Sequence, residues 1–290
     1  MSVAMDARCF ACHLNRNVNA ALKLGDEATA TAFAKELMGL YLSAPQGASS
    51  PWLGLDTAAL FGKYYGLPED RYAKEKAFSN RFVLERMDAL RQRVENQEDR
   101  LLAALKLAIL GNYIDFAALQ GQVDFNFLDS LLEKAMEIQL DGHVYEAFCR
   151  EASQAKRLLY LTDNAGEIGF DRIFAEELHS AYPQLEITFC VRGGPAANDA
   201  TRADAAEVGI PFPVIDNGNR IAGTELSLLG EDARQAMEQA DIILSKGQGN
   251  AETLLGCGKN IYYAFLVKCP LFEERFQKPK FTPMFVKERK

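Results

Sequence analysis

Asp163 and Asn164 stand where one apolar run, Leu158 to Thr162, gives out, and Asn198 and Asp199 lie beyond the next, Ile187 to Val191. Asp163, Asn164 and Asp199 offer two carboxylates and an amide carbonyl. These are hard oxygen donors of the kind that octahedral Mg²⁺ or Mn²⁺ takes, with water filling the remaining positions. If both runs are parallel strands, their carboxyl ends share one sheet edge, and residues far apart in sequence can meet there. The competing reading is helix capping, since Asp and Asn are favoured N-caps and each precedes a helical segment. Two such sites after successive strands favour the metal.

Ser245-Lys246-Gly247-Gln248-Gly249-Asn250 also follows an apolar strand and precedes a helix expected from about Ala251. Glycines let backbone amides turn toward an anion, a helix start adds a favourable dipole, and Lys246 adds a full charge, which describes a phosphate cradle. A Gly-rich turn with a solvated lysine is the plainer alternative. Gly111-Asn112-Tyr113-Ile114-Asp115 closes a strongly apolar helix. Asn112 and Asp115 are neighbours at helical spacing and either reach into an interdomain cleft or merely follow a helix that ends at Gly111. Cys9-Phe10-Ala11-Cys12-His13 matches the spacing of covalent haem attachment, but the chain has no export signal for that chemistry. With only His13, His143 and His179 and no second C-x-x-C, a zinc site has too few ligands, so a pair of helix-borne thiols is expected.

The elements that must carry these residues change character midway. Up to about Ala155 the apolar residues recur at helical spacing, as in Leu101, Leu102, Leu105, Ala108 and Ile109, or Leu131, Leu132 and Met136. Pro45 to Pro51 reads as a loop, and Leu67-Pro68-Glu69-Asp70 as a helix start. After Lys156, short runs at Leu158 to Thr162, Ile187 to Val191, Phe212 to Ile215, Ile242 to Ser245 and Ile261 to Val267 are separated by helical segments. The helices fall at Ile168 to Phe174, Asp199 to Val208 and Glu231 to Ala240. Such alternation predicts an α/β fold with a mostly parallel sheet over 156–290, behind an all-helical part over 1–155. The charged tail Phe276 to Lys290 is expected to wrap as an arm.

A net charge of -8 without a basic run argues against a nucleic-acid surface, and an anionic substrate would need a metal or local cations to offset that field. No stretch of about 18 apolar residues is present to cross a bilayer, and Met1 to Phe10 lacks a signal-peptide core, so a cytoplasmic protein with reduced cysteines is expected. G-x-S-x-G, Walker A and strand-following G-x-G-x-x-G motifs are missing, which removes the common hydrolase, nucleotide-kinase and dinucleotide schemes.

Together, Leu161 to Glu167, Val191 to Pro195 with Asn198-Asp199, Val214 to Gly218, Ser245 to Asn250, Gly111-Asn112 with Ile114-Asp115, and the Cys9/Cys12 pair resemble the domain-of-unknown-function eighty-nine family. These are the metal-dependent damage-control phosphatases, and the C-x-x-C pair is similar to that of the prokaryote-type branch. The resemblance spans nearly the whole chain. It implies a three-layer α/β/α domain with a helical N-terminal part packed on it and the active site between them. It further implies that Asp163, Asn164 and Asp199 bind a divalent metal (Mn, Mg, Co or Ni) and that Lys246, with the amides of its loop at Gly247, holds the phosphate. Glu167 would contact substrate or orient water, with Asn112 and Asp115 on the substrate side of the cleft. The expected activity is hydrolysis of a small phosphorylated metabolite, a sugar phosphate or a damaged phospho-metabolite, by water attack. An aspartyl-phosphate route through Asp163 stays open, although Ala165 stands where the usual second acid would be. The rivals are an S-adenosylmethionine-dependent carboxyl methyltransferase and a non-catalytic metal- or sugar-phosphate-binding regulator. Oligomeric state and physiological substrate are not readable.

Overall fold

The apolar runs after Lys156 become strands. A computed structural model describes residues 5–113, 130, 133, 135 and 137–287 and places β1 at Arg157–Leu161, β2 at Glu186–Val191, β3 at Val214–Asp216, β4 at Ile242–Lys246 and β5 at Ile261–Leu266. The sheet order is β3-β2-β1-β4-β5-β6, parallel through β5, with β6 (Pro283–Lys287) antiparallel at the edge. The charged tail is therefore in part an edge strand: Tyr263 pairs with Val286 and Phe265 with Met284. The chain runs outward from β1 to β3 and returns through β4 to β5, so the crevice between β1 and β4 is the switch point where such sheets bind ligands.

Alternation along each strand feeds two cores. Leu158 and Tyr160, with Phe189, Leu244 and Tyr262, face a layer made by α6 (Arg100–Leu110), α7 (Gly142–Ala152) and α8 (Glu167–Ala181). Leu159, Leu161, Ile243 and Phe265 face the opposite layer, made by α10 (Glu231–Gln239), α11 (Gln248–Leu254) and α12 (Pro270–Phe276). A parallel sheet covered on both faces requires such continuously apolar strands.

The helical half does two different things. Helices α1 (Ala7–Leu22), α2 (Glu27–Leu42) and α3 (Thr57–Tyr65) close their own core around Phe33, Leu37, Leu60 and Phe61. Helices α4 (Ala73–Leu84) and α5 (Met87–Glu95) instead send Phe82, Val83, Met87, Leu90 and Val94 into the core beneath the sheet. At roughly 1.5–3 kcal/mol for each buried side chain, these outweigh the half-exposed Arg91–Glu176 bridge at 2.8 Å, a kind worth roughly 0–1 kcal/mol. Apolar packing, not charge, fixes α4 and α5 against α8.

Three expected helix starts move, that of α11 from about Ala251 to the earlier Gln248. Helix α4 begins at Ala73 rather than at Pro68, because Asp70 accepts from the Tyr72 amide at 3.1 Å and holds that segment as a turn. The helix read from Asp199 starts only at Arg202, as α9 (Arg202–Val208), behind a Thr201/Asp204 capping box. The stripe at Leu131, Leu132 and Met136, like Ile114 and Asp115, lies outside the described residues. Among the described residues no helix is long and apolar enough to cross a membrane.

Candidate metal and phosphate site

The segments after β1 and β2 are stitched together by backbone hydrogen bonds: Ala200 N to Asp163 O at 2.7 Å, Ala165 N to Asn198 O at 2.9 Å, and an isolated bridge between Asn164 and Asp199. This pairing brings Asp163, Asn164 and Asp199 to one point at the carboxyl edge of the sheet. Capping does not explain them. Helix α8 has Gly166 at its N-cap, and α9 is capped by Thr201. Gly166 stands at φ 77°, and a Cβ there would lie 2.7 Å from the Ser79 Cβ. Its amide donates to Asn80 Oδ1 at 2.7 Å, so α4 grips the Asp163–Glu167 turn from the helical side.

Asn112 reaches the same point from the end of α6. Helix α6 does not finish in a left-handed glycine: Gly111 has φ -49°, and the helical path carries on into Asn112. The buried Asn112 amide donates to Asp163 Oδ2 at 2.8 Å and to Glu167 Oε2 at 2.7 Å. Asn164 Nδ2 donates to the same two oxygens, each at 2.9 Å. With its amino group spent on those carboxylates, the amide oxygen is what Asn164 has left to offer a cation.

Glu167 is fully enclosed, with both oxygens engaged: Oε2 by the two amides and Oε1 by Lys246 Nζ at 2.8 Å. It orients Asn164 rather than facing open space. Lys246 is equally buried, and its ammonium also donates to Ala108 O at 2.9 Å and to Asp171 Oδ1. Tyr160 OH donates to that Asp171 oxygen at 2.8 Å. Burial raises both carboxyl groups and Lys246 draws both down. Glu167, with Asn112 as a further donor, ends below the usual range, whereas Asp171 is pushed up to about 7. Burial works against the Lys246 charge, but Asp171 and Glu167 raise its pKa above the ordinary value, so it is an ammonium. An ammonium has three N–H groups, and these are all placed; the phosphate contact expected of Lys246 has no donor left to make it. The Gly247 amide is likewise committed, to Ala264 O at 3.0 Å, and α11 is a helix of only seven residues.

What Gly247 contributes is proximity. It has φ 79°, and a Cβ there would fall 2.0 Å from Asp163 Oδ2, so only glycine lets β4 close on that carboxylate. Arg192, 2% exposed, donates from Nε to Asp199 Oδ2 at 2.6 Å and from Nη1 to Asn250 Oδ1 at 3.2 Å. Its Nη2 lies 3.9 Å from Asp163 Oδ1. Asn250 ties β1 to β4 by donating to Thr162 O at 2.9 Å and Lys246 O at 2.7 Å. Neither Arg192 nor Asn250 stood out in the sequence as more than part of a motif. Lys268 was missed altogether. It follows β5 on the same sheet edge, its amide donates to Gln248 Oε1 at 2.8 Å, and its positive charge acts on both Asp163 and Glu167. The signal was available: a lysine just past an apolar run, as Lys246 is.

The residues fit a divalent cation. Burial, then the charges of Asp199 and Glu167, push the Asp163 carboxyl up to about 7 despite Lys268 and Arg192. Neighbouring carboxylates in that state repel one another more than the nearby cations offset, which a bound cation would relieve. Two buried side-chain atoms beside Asp163, Asn112 Oδ1 and Arg192 Nη2, have no hydrogen-bond partner. Among the described residues no group of three or more His, Cys, Asp or Glu is arranged to hold a metal; the set here is two carboxylates and one amide, which suits Mg²⁺ or Mn²⁺ better than zinc. Cys9 and Cys12 are free thiols on α1, Cys12 exposed. His13 turns to Ser50 Oγ at 3.2 Å, and burial, then the nearby Arg16, holds it neutral, down to about 4.

A parallel α/β sheet with an acidic, oxygen-lined site at its switch point defines a class of ligand-binding α/β proteins. Within it, residues 5–282 match the model of the damage-control phosphatase ARMT1-like domain, and the chain belongs to that family. It is 35% identical over 184 residues to Damage-control phosphatase PH1575 of Pyrococcus horikoshii, an alignment that spans 61% of each chain. It is 36% identical over 207 residues to a damage-control phosphatase of Archaeoglobus fulgidus, spanning 69% of this chain and 70% of that one. Uncharacterized protein MJ0202 of Methanocaldococcus jannaschii is 30% identical over 280 residues, 92% of this chain and 90% of that one. The crystal structure of a DUF89 family protein from Pyrococcus horikoshii superposes with a TM-score of 0.84 at 26% identity over 99% of both chains.

Proposed function

We propose that this protein is a metal-dependent phosphatase acting on small phosphorylated metabolites. The observation that carries the reading is the convergence of Asp163, Asn164 and Asp199 on one buried point beside Lys268, in a chain whose relatives are named damage-control phosphatases. Asp163, Asn164 and Asp199 would hold Mn²⁺, Mg²⁺, Co²⁺ or Ni²⁺, which when bound supplies Lewis-acid polarisation of a phosphoryl group. Arg192 holds Asp199, through its Nε contact, where it bridges to Asn164. Lys268, half-buried just past β5 with its charge acting on Asp163 and Glu167, is assigned the phosphate charge that the sequence gave to Lys246. Asn112 and Glu167 hold the ligand oxygens in place before substrate arrives, so that little reorganisation is needed when charge develops.

The test is a phosphatase screen of p-nitrophenyl phosphate and sugar phosphates against each of the four metals, with Asp163→Ala and Asp199→Ala beside the wild type. Metal-stimulated release of phosphate by the wild type alone is expected. Full turnover by the chelated protein, or by both variants, overturns the reading. Calorimetric binding of S-adenosylmethionine that is indifferent to Mn²⁺ would point to methyl transfer instead.

A further inference from the structure

We propose that Lys246, with Asp171 and Tyr160, is a positioning group for the cation site: it holds Glu167 so that Glu167 sets the amides of Asn164 and Asn112. The inference rests on the proposed function only in requiring that a divalent cation binds at Asp163, Asn164 and Asp199.

The geometry is closed on every side. Lys246, Glu167, Asp171 and Tyr160 are all without solvent exposure. The ammonium spans three elements, rising from the end of β4 to Ala108 O on α6 at 2.9 Å, to Glu167 Oε1 at the start of α8 at 2.8 Å, and to Asp171 Oδ1 one turn further along α8. Tyr160, from β1, fixes the same Asp171 oxygen at 2.8 Å. Glu167 therefore cannot rotate without breaking contact with a cation that is itself pinned to two helices.

The consequence falls on Asn164. An amide nitrogen has two N–H groups. In both Asn164 and Asn112 these are divided between Glu167 Oε2 and Asp163 Oδ2, at 2.7–2.9 Å. That division turns each amide nitrogen toward the carboxylates and leaves the Asn164 oxygen for a cation. Without Glu167 in place, a half-turn of the Asn164 amide would present N–H groups to a positive ion. A groove lysine that grips substrate needs a donor and a path to solvent; Lys246 has neither. Outer partners that orient ligating side chains typically change metal affinity by about 10- to 100-fold when removed.

Mn²⁺ binding to metal-free protein by calorimetry, with no phosphate present, separates the two roles. Lys246→Met is expected to weaken Mn²⁺ affinity at least tenfold. Lys246→Met combined with Glu167→Gln is expected to regain part of it, because the Gln oxygen again accepts from both amides and carries no charge of its own, leaving Asp171, held by Tyr160, as the one carboxyl that has lost its ammonium. Should Lys246→Met fail to fold, as judged by circular dichroism, Asp171→Asn and Tyr160→Phe carry the test, each weakening Mn²⁺ several-fold. The proposal is overturned if Lys246→Met binds Mn²⁺ within twofold of wild type while inhibition by inorganic phosphate weakens tenfold, the pattern of a lysine that touches phosphate. Unchanged Mn²⁺ affinity in both milder variants overturns it as well. If the wild type binds no divalent cation, the proposed function falls together with this inference; if the wild type binds and Lys246→Met binds equally, only the inference falls.

Discussion

Two pairs of buried carboxylates lie side by side at the carboxyl edge of this sheet, and they are neutralised in different ways. Glu167 and Asp171 enclose Lys246, so their counter-charge is built into the chain. Between Asp163 and Asp199 stands Arg192, which is hydrogen-bonded to Asp199 at 2.6 Å but stays 3.9 Å from Asp163, and the charge of Lys268 acts on Asp163 as well. The first pair is closed: one ammonium bonds both carboxyl groups. The second is more open: Arg192 bonds Asp199 but not Asp163, and burial with the neighbouring charges of Asp199 and Glu167 pushes the Asp163 carboxyl up to about 7. The difference sets an acidic cluster closed by its own lysine beside the acidic site proposed for an external cation. Glu167 of the closed pair accepts from the same two amides, of Asn164 and Asn112, that hold Asp163 of the open one.

The largest effect expected is from breaking the open pair. Asp163→Ala should cost about 10³-fold in metal-stimulated turnover at saturating Mn²⁺, equivalent to roughly 4 kcal/mol of lost stabilisation; initial rates of phosphate release check it. Arg192→Lys tests whether a point charge can replace the fork that holds Asp199 and Asn250. A fall in Mn²⁺ affinity of about 10-fold is expected, and calorimetry showing wild-type affinity would mean that Arg192 supplies charge alone.

Gly247→Ala pushes a methyl group against Asp163 at a positive φ, and a loss of roughly 1–3 kcal/mol in thermal stability is expected, together with weaker Mn²⁺ binding. A melting curve indistinguishable from wild type counts against the close approach. A smaller effect should appear in the pH dependence of the metal-free protein. The folded pKa of Asp163, about 7, lies above its ordinary 3.8. The native state thus binds the extra proton, and the Asp163 contribution to stability is present at low pH and fades as pH rises from about 4 to about 7. Compared with Asp163→Asn, the metal-free wild type should lose melting temperature over that range, and Mn²⁺ should recover more of it at pH 8 than at pH 6. Parallel curves for the two proteins would show that Asp163 carries no raised pKa. Smallest of all is the change expected for Cys12→Ser. The thiol is exposed on α1, away from both carboxylate pairs, and a shift within about 0.5 kcal/mol is expected, readable by thermal melting.

Much of this was legible in the chain. Strands β1 to β5 fall within two residues of the apolar runs, because strands buried on both faces must be apolar throughout and must end where polar residues begin. The convergence of Asp163, Asn164 and Asp199 followed from the same logic, since parallel strands put successive carboxyl ends on one edge. The tail as an edge strand and the division of the helices into two groups were not legible. Phe276 to Lys290 offers only the three apolar residues Met284-Phe285-Val286, too short a run beside Pro283 and Lys287 to announce β6, and α4 looks like α2 until the partner for Phe82 and Val83 is known.

Local pattern determined the order of elements, the edge on which chemistry would gather and the residue types available for it, because periodicity and turn chemistry depend on near neighbours. Tertiary structure decided where each lysine sits. Lys246 and Lys268 each follow an apolar strand, and nothing in their neighbours separates them. Only packing shows that Lys246 is enclosed by α6 and α8, where its three N–H groups are consumed, whereas Lys268 is left at the rim of the site. The reason is physical: a charged side chain takes its role from the depth at which it is buried and the partners it meets there, and both are set by contacts between residues 75 to 138 positions apart.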